Sequence, residues 1–67
     1  MNQPDHPVVL MTPEAAAERL SISRTRIYEL LASRTLESVK IGRLRRIRPE
    51  HLEAFVTRLS EEGSYVA

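Results

Sequence analysis

The 67-residue chain has no cysteine and no tryptophan, one phenylalanine, two tyrosines, two histidines and two glycines. Without cysteine there is neither a disulfide framework nor a thiolate metal site. His6 and His51 stand far apart in sequence, which argues against a histidine metal cluster. No apolar run approaches the roughly 18 residues of a membrane span, and no basic-then-apolar leader is present. The expectation is therefore one small cytoplasmic domain away from membranes. At roughly 25 cal/mol per Å² of apolar burial, a core this size barely offsets chain entropy. A deep catalytic pocket is hard to build on it, so no catalytic residue, metal or cofactor is expected.

Net charge is also scarce, only +1, but its distribution is uneven. Residues 19–48 carry nine cations against Glu29 and Glu37, a net of +7, while residues 1–18 and 49–67 each carry a net of −3. Eight of the nine cations are arginine, the better reader of phosphates and base edges. The plain alternative is a solvated surface; the clustering points instead to one face that meets a polyanion.

Residues 1–8 hold two prolines and read as a flexible lead-in, residues 9–60 as the folded domain, and residues 61–67 as a tail. Val9-Leu10-Met11 is an edge strand or a packing anchor. Thr12-Pro13-Glu14 reads as a helix start, with a capping hydroxyl, proline in the first turn and a carboxylate at the positive end. The first helix is expected over 13–20, burying Ala16, Ala17 and Leu20. Ile22 between two serines plugs a tight turn. Ser23 then caps a second helix over 24–33, in which Ile27, Leu30 and Leu31 share a face. Two short helices joined this closely make a helix-turn-helix.

After Thr35 the period changes to alternation: Val39, Ile41 and Ile47 against Lys40 and Arg46, a β-hairpin. A two-residue Gly42-Arg43 turn suits type II′ geometry but places Val39 opposite Arg46. A three-residue tip, Gly42-Arg43-Leu44, keeps the apolar residues together. One buried face usually fixes register, so the longer tip is expected. Pro49 opens a third helix over about 49–60, with Leu52, Phe55, Val56 and Leu59 as its core stripe. The fold expected is mainly α with a small hairpin, a winged helix-turn-helix.

Leu10, Thr12-Pro13-Glu14-Ala15-Ala16, Leu20-Ser21-Ile22-Ser23-Arg24-Thr25-Arg26-Ile27-Tyr28, Val39-Lys40-Ile41-Gly42-Arg43, and Arg46-Ile47-Arg48-Pro49-Glu50-His51-Leu52 with Phe55 follow in a particular order and spacing. In this the chain resembles the excisionase-family DNA-binding domain, a MerR-like winged helix-turn-helix, over roughly residues 9–59. The resemblance implies a double-stranded DNA partner, the second helix in the major groove, the wing on the backbone or in the minor groove, and cooperative binding to neighbouring sites. The chain departs from the family pattern where Ser21 stands in place of a common glycine, near Arg34, where a glycine is also common after the second helix, and where Arg45 replaces an inward-packing aromatic residue. A left-handed backbone at Ser21 would cost about 1 kcal/mol.

The candidate DNA-binding residues are Ser23, Arg24, Thr25, Arg26, Tyr28, Lys40, Arg43, Arg45 and Arg46. Ser23 is first a helix cap and can also touch a phosphate. Arg24 and Arg26 are long enough for guanine O6 and N7, but about 200° of helical rotation separates them. One reads a base while the other grips a phosphate, and the sequence assigns the roles to neither in particular. Thr25 meets a thymine methyl, a phosphate or solvent. Tyr28 offers a phosphate its hydroxyl or packs at the helix edge. Arg43 at the wing tip suits minor-groove insertion, where negative potential is concentrated. Lys40 and Arg46 flank it; Arg45 and Arg48 are weaker candidates. His51 is expected on the surface, Glu29 and Glu37 beside arginines, and Leu44 as a tolerated apolar tip residue.

The leading expectation is an excisionase that binds and bends DNA at attachment sites to assist an integrase. A small transcriptional regulator on the same scaffold is the alternative. A protein-interaction adaptor whose basic face meets an acidic partner is the third. The acidic tail, residues 60–67, is a candidate contact for a neighbouring copy's wing.

Overall fold

The computed structural model describes residues 9–62. The lead-in 1–8, with His6, and the tail from Gly63 onward lie outside the described residues. The element order is α1 (Pro13–Leu20), α2 (Arg24–Ala32), β1 (Val39–Ile41), β2 (Leu44–Arg46) and α3 (Pro49–Glu62). Three helices and a two-stranded antiparallel ribbon make a winged helix-turn-helix.

The helix starts follow from side-chain chemistry. Thr12 Oγ1 accepts from the Ala15 amide at 3.0 Å, and Pro13 occupies the first turn where its missing N–H costs nothing. Ser23 Oγ does the same for the Arg26 amide at 3.0 Å. Both helices then stop in the same way. At the end of α1, the Ser21 amide donates to Glu18 O at 3.1 Å and the Ile22 amide to Ala17 O at 3.0 Å. At the end of α2, the Arg34 amide donates to Leu31 O at 3.1 Å and the Thr35 amide to Leu30 O at 3.0 Å. Each pair of bonds is a Schellman motif, whose turning residue must be left-handed. Ser21 has φ of 59° and Arg34 φ of 62°. Each of these left-handed residues carries a Cβ. α2 ends at Ala32, one residue short of expectation, with Ser33 as its cap. α3 continues two residues beyond the expected end, to Glu62.

Met11, Ala16, Ala17, Ile27, Leu31, Leu36, Ile47, Leu52 and Phe55 form one buried cluster. Leu20, Ile22, Leu30 and Leu59 pack against it, half-buried. Alanines on α1 let α2 approach closely. Leu36 is fully buried although no periodic pattern surrounds it. Val56, expected in the core stripe, is 42% exposed, because α3 meets the body along a narrower face. Arg58 on α3 donates to Thr35 O at 3.0 Å and ties the chain after α2 to the third helix.

The ribbon register corrects the sequence expectation. Val39 pairs with Arg46, Lys40 with Arg45 and Ile41 with Leu44, so Gly42-Arg43 is a two-residue turn. Gly42 has φ of 63° and Arg43 is not left-handed, the type II′ pattern. The longer tip was expected to bury Ile41, yet Ile41 is 54% and Leu44 52% exposed. The ribbon tip projects past the core, so no buried face is available there to set register, and turn chemistry decides it. Burial returns at the base, where Ile47 is fully enclosed. Its amide and carbonyl exchange hydrogen bonds of 2.9 Å each with Met11, a bridge that fastens the segment before α1 to the end of the wing. Met11 is thus both strand-like and a packing anchor.

Candidate nucleic-acid interface

The N-terminal end of α2 and the wing lie on either side of Glu14. Arg24 is the first residue of α2, and its Nε donates to Glu14 Oε2 at 2.9 Å. The Tyr28 hydroxyl, one helical turn on, donates to the same oxygen at 2.9 Å. The Arg24 guanidinium also lies 5.2 Å from the Tyr28 ring centre, within cation–π range. The hydrogen bond from Arg24 is the main reason the Glu14 carboxyl is held below the ordinary carboxylate value, and Glu14 in turn raises Arg24. Glu14 and Tyr28 then line a shallow hollow of about 270 Å³ with Thr12, Arg43, Leu44 and Arg46 among its other walls. Helix α2 and the wing therefore face a common space across Glu14.

Arg26 lies elsewhere. It flanks a hollow with Leu20, Ile22, Leu30 and Phe55, on the flank of α2 away from Tyr28. Its Nη1 donates to Glu29 Oε1 at 2.9 Å, one turn along the same helix. The 200° separation expected from helical geometry thus places one arginine beside the wing and the other away from it. Thr25 is exposed and, with Arg24, Tyr28, Glu29 and Ala32, lines the open outer side of α2. Ser23 is exposed and engaged as the cap.

The wing cations differ in their partners. Arg43 is exposed at the tip and, like Lys40, makes no side-chain hydrogen bond or ion pair among the described residues. Arg46 folds back so that Nη1 donates to Arg45 O at 2.8 Å, and it lines the hollow beside Glu14. Arg45 is half-buried. Its Nη1 donates to Ser38 Oγ at 2.9 Å, so the stem lies partly covered while the charge finds a hydroxyl. Lys40 lines a second cleft with Arg34, Ser38, Glu37 and His51, and Arg45 borders both this cleft and the hollow beside Glu14.

Two sequence expectations change here. His51 is partly buried rather than on the surface: its side chain is 28% exposed, and Nε2 lies 3.3 Å from Glu37 Oε1. Glu37 therefore partners histidine, whereas Glu29 partners arginine as expected. Glu14 is the member of the site that sequence reasoning missed. It read as a dipole-matching residue of the first helix; its partners are ten and fourteen positions away, on another helix. Among the described residues, no three histidine, aspartate or glutamate side chains gather as metal ligands do. No helix among them is long and apolar enough to cross a membrane.

A helix-turn-helix domain family model matches residues 10–60. The chain is also 46% identical over 56 residues to a probable excisionase of Saccharopolyspora erythraea, an alignment covering 84% of this chain and 57% of that protein. The chain thus spans a little over half the length of that curated relative. No solved structure matches it.

Proposed function

The chain belongs to the helix-turn-helix domain family, and from that premise we propose that it is the double-stranded-DNA-binding module of an excisionase. Helix α2 enters the major groove, with its N-terminal residues toward the base edges, and the wing lies along the adjacent backbone or minor groove. The observation that carries this reading is the hollow shared by Tyr28 of α2 and Arg43, Leu44 and Arg46 of the wing, with Arg24 beside it. A probe helix and a cationic ribbon on one side of a small domain match the two grooves of a duplex. The charge distribution supports the same face.

In this reading Arg43, Arg46, Lys40 and Arg45 neutralise phosphates or reach the minor groove, Ser23, Thr25 and Arg26 fix the helix on the backbone, and Tyr28 packs at the helix edge beside Arg24. Neighbouring copies bind adjacent sites, shape the duplex and position an integrase, all in the cytoplasm. The protein supplies geometry and carries out no bond-breaking step. The relative named a probable excisionase favours this use of the scaffold over promoter control.

Fluorescence anisotropy on labelled duplexes, followed by footprinting, tests the proposal. Duplex affinity should survive a heparin competitor and fall steeply with salt. About five neutralised phosphates give a log–log slope near −4 to −5. Footprints should cover several adjacent sites in the attachment region of an integrative element, appearing stepwise as protein is added. Binding that heparin abolishes, or a slope near zero, would end the proposal. Protection of a promoter alone would reassign the domain to transcriptional control.

A further inference from the structure

Resting on that reading, we propose that Arg24 is the base-reading arginine of α2 and that Glu14, on the other helix, is the positioning residue that sets its specificity.

The argument begins with donor geometry. A guanidinium offers five N–H groups in a rigid fork. Glu14 engages the inner Nε–H. That contact fixes the orientation of the plane and leaves the outer Nη edge as the one to meet guanine O6 and N7. The Tyr28 ring supports the guanidinium 5.2 Å from its centre, and the Tyr28 hydroxyl fixes the carboxylate from a second side. Two residues from two helices, Glu14 and Tyr28, thus hold one exposed arginine, so less side-chain freedom remains to be lost on binding. Arg24 is also the first residue of α2, the end of a recognition helix that approaches base edges. Arg26 lacks this support: its outer nitrogen is tied to Glu29, and it lies on the flank away from the wing.

Glu14 also acts against the wrong duplex. Its carboxyl is held below the ordinary carboxylate value, chiefly by the hydrogen bond from Arg24, and it faces a hollow walled by Arg43 and Arg46. There it repels phosphates and lowers the affinity for any duplex that offers Arg24 no guanine. Specificity is a difference of affinities, and a carboxylate that weakens the unspecific complex enlarges that difference.

The test uses the full chain and a duplex selected by it from a random-sequence pool, with every base pair of the selected site then varied singly. Arg24→Ala should erase preference at one G·C pair, a discrimination of roughly 5- to 150-fold. Glu14→Gln keeps the shape and the Tyr28 acceptor but removes the charge. It should cut preference at that same pair by about three- to tenfold while tightening binding to unrelated duplex. Arg26→Ala should lower affinity for all sequences alike and leave the preference profile unchanged. Thermal melts of the three variants identify any loss of folding. For a variant that melts early, the profile is taken at low temperature, where it is folded. Wild-type protein that binds no duplex overturns the functional reading and this inference with it. Wild-type protein with a clear preference that Glu14→Gln leaves intact, or that Arg26→Ala abolishes, overturns this inference alone.

Discussion

Ser21→Gly should make the protein more stable. Ser21 turns the chain out of α1 at φ of 59°, in a Schellman motif that needs a left-handed residue whatever its identity. A side chain there costs about 1–2 kcal/mol. Glycine removes that cost but adds unfolded-state freedom worth about 0.5–1 kcal/mol. The net gain is about 0.5–1 kcal/mol. The Ser21 hydroxyl makes no hydrogen bond among the described residues, so nothing offsets it. In a domain this small, each kcal/mol moves Tm by roughly 4–8 °C, so a rise of about 2–8 °C is expected by circular dichroism. Urea melts should show a higher midpoint at an unchanged slope. Ser21→Ala is the control: it keeps the Cβ and should gain nothing. A glycine variant that melts at or below wild type, or an alanine variant that gains as much, would refute the reasoning. Arg34→Gly should add a similar increment for the same reason, at φ of 62°.

Ile47→Ala should have the opposite effect: the residue is fully buried at the base of the wing, and the truncation should cost about 2–5 kcal/mol, read from urea melts. Since the whole domain has roughly 3–10 kcal/mol to lose, a fraction unfolded should be visible near room temperature. Arg43→Ala should weaken binding to related and unrelated duplexes alike and make the salt slope shallower by about 0.9, measured by anisotropy titrations across ionic strength. Acid should destabilise the protein through Glu14 and Glu50. Both carboxyls are held below the ordinary value, Glu14 chiefly by the bond from Arg24 and Glu50 chiefly by a backbone hydrogen bond. Their stabilisation is present above the ordinary carboxylate range and is lost as pH falls through their lowered values. Urea midpoints of a Glu14→Gln, Glu50→Gln double variant should therefore depend less on pH on the acid side and lie lower at neutral pH.

The parts of this fold that were legible are those written locally. Thr12 and Ser23 announce helix starts because a hydroxyl finds the amide three residues on. The left-handed backbone at Ser21 was anticipated, because a Schellman turn makes one backbone demand at one position. The hairpin's place followed from alternation, but its register did not. That expectation rested on a buried face, and the tip has none, so the type II′ turn at Gly42 prevails. Leu36 was invisible because a single apolar residue between Thr35 and Glu37 carries no period, and only the assembled core encloses it. The candidate interface divides in the same way. Its cations stand out as a charge block, whereas the allocation of Arg24 and Arg26 to opposite flanks of α2 depends on packing. Glu14's part in the site depends on α1 lying beside α2, a relation no spacing along the chain encodes.

The bridge between Met11 and Ile47 has a kinetic consequence. It closes a loop of about three dozen residues that contains α1, α2 and the ribbon. The two helices can zip up from neighbouring contacts, but this clasp must wait until the chain's distant ends meet. Its closing should therefore come late in refolding, and its opening should free the wing while the paired helices persist. The Met11 and Ile47 amides should then exchange with deuterium ahead of those in the middle of α2, reporting a partly opened form in which the ribbon has lost its footing.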